Sequence, residues 1–137
     1  MHYEALYQQS ISDPVKFWED QARVIDWFEF PTQMLSKDEN GAYRWFADGQ
    51  LNTCHLALDY HVANGRGEQT AIIYDSPVTQ TFLRYTYREA LDETARFAGV
   101  LQGLGVGKGD RVIIYMPMIP QVVFAMLACA RLGAIHS

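Results

Sequence analysis

The sequence predicts an α/β fold that begins with a helical region, and three observations support it. Residues 14–25 have apolar side chains at helical spacing and follow an Asp-Pro pair that is typical of a helix N-terminus. From Thr70 onward, strand-like runs alternate with helical patterns. The run Val112–Tyr115 is apolar without alternation, which is typical of a parallel strand covered on both faces. We therefore expect a helical collar in residues 1–66. Residues 67–137 then supply the first strand–helix–strand elements of a larger, here incomplete, domain.

Composition narrows the class of protein. The 137 residues are 49% hydrophobic and 20% charged, with a formal net charge of −5, values ordinary for a folded globular protein. The cations are scattered among acids, which argues against nucleic-acid binding. The first ten residues lack the basic start and apolar core of a signal peptide, and no apolar run is long enough to span a membrane. Two cysteines without a CxxC motif are typical of a reducing compartment. We expect a cytoplasmic protein.

The first region is predicted to be mainly helical. A short helix is expected over Tyr3–Gln9, and Asp13 caps a second one over Pro14–Ile25. The apolar face of that second helix consists of Val15, Trp18, Ala22 and Ile25. The elements expected after it are a strand at 43–46, a turn at Asp48-Gly49, and a helix over Thr53–Val62 that is capped by Asn52 and ends at Asn64-Gly65.

All three tryptophans, Trp18, Trp27 and Trp45, lie in the first third of the chain. Large aromatic side chains mostly fill cores, which favours a lid or collar packed on a bigger body. A base-stacking platform would need basic partners that this region lacks.

The second region opens with a predicted hairpin. Strands are expected at 71–74 and 81–85, and the capping box Thr86/Glu89 opens a helix over Tyr87–Leu104 that ends at Gly105. We expect a strand at Arg111–Met116, a helix over Val122–Leu132 that Pro120 opens and Gly133 ends, and a right-handed connection to a strand that begins at Ala134. The helix over Tyr87–Leu104 has a predicted apolar face, which consists of Leu91, Ala95, Ala98, Leu101 and Leu104.

A glycine-rich segment with one lysine, Gly103–Asp110, has the composition of a phosphate-binding loop. Such loops run from a strand into a helix, so that free N–H groups at the helix N-terminus point at the anion. Gly103–Asp110 runs from a helix into a strand, and a helix C-terminus carries the wrong partial charge. The glycines are better explained as a helix stop and a tight turn.

Few side chains carry chemistry in this sequence. The strand-to-helix turn 116–120 holds two methionines and two prolines but no acid, base or nucleophile. Its methionines are expected to fill gaps in a core, with an apolar wall as the alternative. Cys129 is expected to be inert packing inside a helix. His55 and His61 lie six positions apart, on opposite sides of their helix, so they do not form a metal site.

Several segments together resemble the AMP-forming acyl-CoA synthetases, the adenylate-forming family. The segments KGDRVIIYMPM and LACARLGAIHS, at residues 108–118 and 127–137, resemble the start of the large domain in the acetyl- and propionyl-CoA synthetases. Residues 7–11, 17–19, 26–27, 44–46 and 49–52 are similar to the acetyl-CoA synthetase N-terminal region. Residues 52–59 and 71–76 are more similar to propionyl-CoA synthetases. The resemblance covers the whole chain.

The resemblance implies a ligase that joins a short acid, propionate or acetate, to coenzyme A. ATP and Mg²⁺ give an acyl-adenylate and pyrophosphate, and the coenzyme A thiol then displaces AMP. The family's phosphate loop, aromatic-Thr-Glu motif, hinge Asp and C-terminal Lys have no counterpart in residues 1–137. We therefore assign no catalytic, cofactor-binding or metal-binding residue, and expect the isolated chain to be inactive as an N-terminal piece of such an enzyme.

Two other functions are alternatives. One is a non-catalytic interaction module that docks on a full-length synthetase or on copies of itself through the apolar surface of residues 122–132. The other, an independent small nucleotide binder, lacks a strand-to-helix anion loop.

Overall fold

The computed structural model describes residues 2–137, which divide into two compact units with the boundary between Leu51 and Asn52. The predicted domain boundary, between residues 1–66 and residues 67–137, rests on the change of sequence pattern and stays a prediction. None of the helices in the described residues is both long and apolar enough to cross a membrane.

The first unit contains two helices and one small hairpin. Helix α1 spans Tyr3–Ser12 and helix α2 spans Pro14–Ala22, with the Asp13 side chain accepting a hydrogen bond from the Lys16 N–H. Strands β1 (Leu35–Lys37) and β2 (Tyr43–Trp45) pair antiparallel. The sequence analysis predicted β2 and the Asp13 cap but missed β1.

Trp27 organises the centre of this unit. Its indole Nε1–H donates to the Ala22 carbonyl over 2.8 Å, and its ring makes edge contacts with Phe30 and Phe46. A Cβ at Gly49 would lie 2.7 Å from that ring, so the predicted turn at 48–49 requires glycine for close approach. The predicted end of α2 at Ile25 is wrong: the helix stops at Ala22, whose carbonyl the indole binds.

The second unit opens with a helical segment, residues 53–66, that contains the π-helical turns His55–Asp59 and Val62–Arg66. The Asn52 cap is confirmed, because its Oδ1 accepts from the His55 N–H over 3.1 Å. The stop predicted at Asn64-Gly65 appears as a break in the helical backbone, with Gly65 at φ +79°.

The remaining elements follow the predicted order. Strands β3 (Thr70–Ser76) and β4 (Thr81–Thr86) form an antiparallel hairpin, and the capping box of Thr86 and Glu89 opens α3 (Tyr87–Gly103). Strand β5 (Arg111–Val112), helix α4 (Pro120–Leu132) and strand β6 (Ile135–His136) form a strand–helix–strand unit in which β5 and β6 pair in parallel. Gly133 ends α4 in the left-handed conformation, at φ +71°.

The predicted apolar face of α3 is confirmed at Ala98, which is buried, and at Leu91, which packs against the core, but it is wrong at Ala95 and Leu104. The buried positions are Ala90, Thr94 and Ala98, whereas Ala95 and Leu104 are exposed. Small side chains at this i, i+4, i+8 spacing let α3 approach α4 closely, and α4 also presents small buried residues. A core of Cys54, Leu58, Ala90 and Phe124 fills the space between the helices.

Within the described residues, the apolar run Val112–Tyr115 is covered on one face only. Val112 and Ile114 are half-buried, but Ile113 is 84% exposed and Tyr115 is fully exposed. Helix α4 packs against β6, and no described element covers the face on which Ile113 and Tyr115 lie.

Candidate functional site

The carboxyl ends of the parallel strands are the edge at which α/β proteins bind ligands. The β5–β6 ladder continues to this edge, since the Ile114 N–H donates to the Ser137 carbonyl over 2.7 Å and the Ser137 N–H donates to the Val112 carbonyl. The turn that follows β5 supplies Tyr115, Met116 and two prolines but no ionisable carboxylate or amine. This edge has no acid–base pair within the turn 116–120.

Helix α4 begins at this edge without a polar cap. Ile119 is its N-cap and makes no side-chain cap hydrogen bond, and Pro120 occupies the first turn. Met118 lines a shallow apolar groove of about 190 Å³ between β3 and the start of α4, together with Ile72 and Ile119. The expectation that the methionines fill gaps in a core is wrong for Met118, which is exposed at the surface of this groove.

The structure confirms the interpretation of the glycine-rich segment as a turn. It leads from α3 into β5, with Gly105 and Gly109 at positive φ. The Gly107 N–H donates to Asp110 Oδ2 over 2.8 Å, and the Gly109 N–H donates to the Gly133 carbonyl over 2.9 Å. These two N–H groups are already bound within the protein.

The most connected polar cluster consists of Asn52, Asp59 and Arg131, which we call the Asn52 latch. The Asn52 Nδ2 group donates to the Ala130 and Arg131 carbonyls, each over 3.1 Å. Both Arg131 terminal nitrogens donate to Asp59, the shortest contact being 2.8 Å. The latch ties the start and middle of residues 53–66 to the last turn of α4.

The charged side chains of this cluster are paired with one another. The Asp59 and Arg131 side chains are each 27% exposed and satisfy one another in a bidentate pair. Arg131 Nε is buried and has no hydrogen-bond partner. Sequence reasoning found the Asn52 cap but missed the ion pair, because its members lie 72 positions apart and no local pattern links them.

Both cysteines are free and fully buried. Desolvation raises the pKa of the Cys54 thiol, although the Arg131 charge opposes the shift, and burial also raises the pKa of the Cys129 thiol. A raised pKa leaves less thiolate, which is the reactive form. The prediction that Cys129 serves as packing is confirmed.

The histidines do not gather into a metal site in the part of the chain that the structure describes, where no group of three metal-ligating side chains occurs. His61 instead lies over the Tyr87 ring, with centroids 4.8 Å apart, and its Nδ1 lies 3.1 Å from an Arg66 terminal nitrogen.

Comparison with known proteins identifies the family. The model for the acetyl-coenzyme A synthetase N-terminus matches residues 3–57, and the model for AMP-binding enzymes matches residues 60–137. The chain belongs to the AMP-binding enzyme family. The two matches together cover nearly the whole sequence, which confirms the resemblance drawn from its motifs.

Individual relatives agree over the full chain. An uncharacterized protein of Pseudomonas aeruginosa is 58% identical over 137 residues, all of this chain and 22% of that protein. The human mitochondrial acyl-CoA synthetase short-chain family member 3 is 49% identical over 98% of this chain and 20% of its own length. The acetyl-coenzyme A synthetase of Desulfatibacillum aliphaticivorans is 47% identical over 98% of this chain and 21% of its own.

A solved structure agrees with the predicted fold. The acetoacetyl-CoA synthetase from Streptomyces lividans matches with a TM-score of 0.85 at 29% identity, over 100% of this chain and 21% of that one. The predicted fold class, the opening elements of an adenylate-forming domain behind a helical region, is confirmed. The chain spans about a fifth of the length of each of these relatives.

Proposed function

We propose that this chain is the N-terminal portion of an AMP-forming short-chain acyl-CoA synthetase. The observation that carries the proposal is the succession of two family matches, residues 3–57 to a synthetase N-terminus and residues 60–137 to the AMP-binding domain. Relatives named as acyl-CoA and acetyl-CoA synthetases match the same span from end to end.

The reaction proposed for the whole enzyme has two steps. A short-chain carboxylate attacks the α-phosphate of ATP, with Mg²⁺ as the counter-ion, and releases pyrophosphate. The coenzyme A thiol then attacks the acyl-adenylate and releases AMP. Propionate is the proposed preferred acid, because residues 52–59 and 71–76 resemble propionyl-CoA synthetases more than acetyl-CoA synthetases.

We propose that this chain contributes a structural scaffold to the whole enzyme. Stabilising the charge of a transferring phosphoryl group needs preorganised donors or cations aimed at it. The glycine-rich turn has its N–H groups bound to Asp110 and Gly133, and the Asn52 latch satisfies Arg131 with Asp59. We therefore assign no catalytic or cofactor-binding residue to residues 2–137.

The compartment proposed is the cytoplasm. Both thiols are free and buried, as expected in a reducing setting. Detection of a fluorescently tagged full-length protein in another compartment would contradict this part of the proposal.

A chimera tests the proposed function directly. Residues 1–137 replace the matched segment of the Desulfatibacillum acetyl-coenzyme A synthetase, which keeps the other four-fifths or so of its own chain. We expect ATP-dependent formation of an acyl-CoA thioester from acetate or propionate. A folded chimera without thioester synthesis from either acid would overturn the proposal.

A further inference from the structure

Two Asn-Gly pairs in the chain, Asn40-Gly41 and Asn64-Gly65, are open to the same chemical modification. Asparagine is thermolabile, because the backbone nitrogen of the next residue can attack its side-chain amide. Glycine permits this attack most readily, since it has no Cβ to shield its nitrogen or to restrict the backbone. The two pairs have the same local sequence but different surroundings, so the structure decides which of them reacts.

The first pair lies in a turn that several hydrogen bonds hold closed. The Gly41 N–H, which carries the attacking nitrogen, donates to the Asp38 carbonyl over 2.9 Å. Asp38 Oδ1 accepts from the Asn40 and Ala42 N–H groups over 3.0 and 2.9 Å. The other carboxylate oxygen, Oδ2, accepts from the Arg44 guanidinium. Attack on the Asn40 side chain therefore requires this turn to open.

The second pair lies where the helical backbone of residues 53–66 breaks. Asn64 has φ −93° and ψ 24°, and Gly65 has φ +79°, both outside the helical range. Both residues are exposed, and the Asn64 Nδ2 group donates to the Tyr60 carbonyl over 2.7 Å. Water can replace this bond at an exposed position, and an exposed break in a helix opens at low cost in free energy.

We propose that Asn64 is a deamidation site and that Asp38 protects Asn40 from the same reaction. Hydroxide removes the proton of the Gly65 nitrogen, the nitrogen bonds to Asn64 Cγ, and Nδ2 takes a proton from water and leaves as ammonia. One water then hydrolyses the cyclic imide at either of its two carbonyl carbons, so that residue 64 becomes aspartate or isoaspartate. The net reaction consumes one water and needs no enzyme or cofactor.

The product changes the segment that ends at this break. A carboxylate replaces the amide donor, so the hydrogen bond to the Tyr60 carbonyl is lost. The isoaspartate form also routes the backbone through one additional carbon, shortly before Gly67. The Gly67 carbonyl accepts from the Arg88 N–H over 3.1 Å at the start of α3. Deamidation of residue 64 therefore bears on the contact between this segment and α3.

Peptide mapping by mass spectrometry measures both sites in one sample of the 137-residue chain, incubated at mildly alkaline pH. We expect Asn64 to convert roughly tenfold faster than Asn40 or more, because opening the first turn costs at least one further hydrogen bond of ordinary strength. In concentrated urea, where both pairs lie in unfolded chain, the two rates should become comparable. Conversion of Asn40 as fast as Asn64 in native buffer, or the same ratio of rates in urea, would overturn the proposal.

Matched variants of the first turn test the protection by Asp38. Asp38→Ala removes the carboxylate that accepts from the Asn40 N–H, and it should raise the Asn40 rate roughly tenfold while Asn64, in the second unit, serves as the internal reference. Glu39→Ala removes the same charge at an exposed residue of the same turn and should leave both rates unchanged. An unchanged Asn40 rate in Asp38→Ala, or equal rises in the two variants, would contradict the protection. The inference is independent of the proposed function, because its readout requires no catalysis.

Discussion

Replacing Asn52 by alanine should destabilise the second unit more than the alanine substitution of any other Asn or Gln in that unit. The substitution removes the cap of the His55 N–H, which contributes about 1 kcal/mol in typical helices. It also removes two hydrogen bonds to the Ala130 and Arg131 carbonyls, each contributing about 1 kcal/mol. Water reaches this partly exposed position and replaces some of the lost bonds, so we expect a net loss of about 2 kcal/mol in the free energy of unfolding.

Two further variants divide this loss into its parts. Asn52→Asp keeps the cap acceptor but loses both donors, and it places a carboxylate at the C-terminal end of α4, where the helix dipole opposes a negative charge. It should cost about 1 kcal/mol or slightly more. Asn64→Ala removes one local bond, to the Tyr60 carbonyl, and serves as the matched amide control at about 0.5 kcal/mol.

Urea unfolding followed by far-ultraviolet circular dichroism measures these differences, and hydrogen exchange adds a local readout. The His55 N–H should lose protection in Asn52→Ala and keep it in Asn52→Asp. If Asn52→Ala costs no more than Asn64→Ala, the latch does not stabilise the unit and the reasoning is refuted.

Three other predictions follow from single sites. Thr94→Val should raise the unfolding free energy by about 1 kcal/mol, because the buried Thr94 hydroxyl has no partner; a loss in urea unfolding would contradict this. Donors from Thr32 and Gln33 lower the pKa of Asp48, so its stabilising contribution is present above pH 3.8 and lost as the pH falls through the lower folded value. The free energy of unfolding, from urea titrations followed by tryptophan fluorescence, should therefore exceed that of Asp48→Asn above about that pH and approach it on acidification, and a difference that does not shrink at low pH would count against it. The Cys54 and Cys129 thiols should react with Ellman's reagent only after unfolding, and fast reaction in the folded chain would disprove their inertness.

Features set by neighbouring residues were predictable from the sequence. The capping box of Thr86 and Glu89 and the helix stops at Gly105 and Gly133 each depend on a few consecutive residues, and all are confirmed. The direction of the glycine-rich turn, from helix to strand, also followed from local order.

Features set by distant residues were not predictable. The Asp59–Arg131 pair joins positions 72 apart, and the buried face of α3 depends on how closely α4 approaches it. Which face of the strand at Val112–Tyr115 stays uncovered was not predictable either, because an apolar run without alternation indicates only that both faces are suited to burial. Within the described residues, Ile113 and Tyr115 are exposed.

Pyrophosphate release, measured side by side for residues 1–137 and for the chimera, tests the central claim most directly. With ATP, Mg²⁺, propionate and coenzyme A, we predict acid-dependent release by the chimera and none above background by the isolated chain. Acid-dependent release by the isolated chain would contradict its assignment as a scaffold without catalytic groups. A folded chimera that releases none would contradict its assignment to the synthetase.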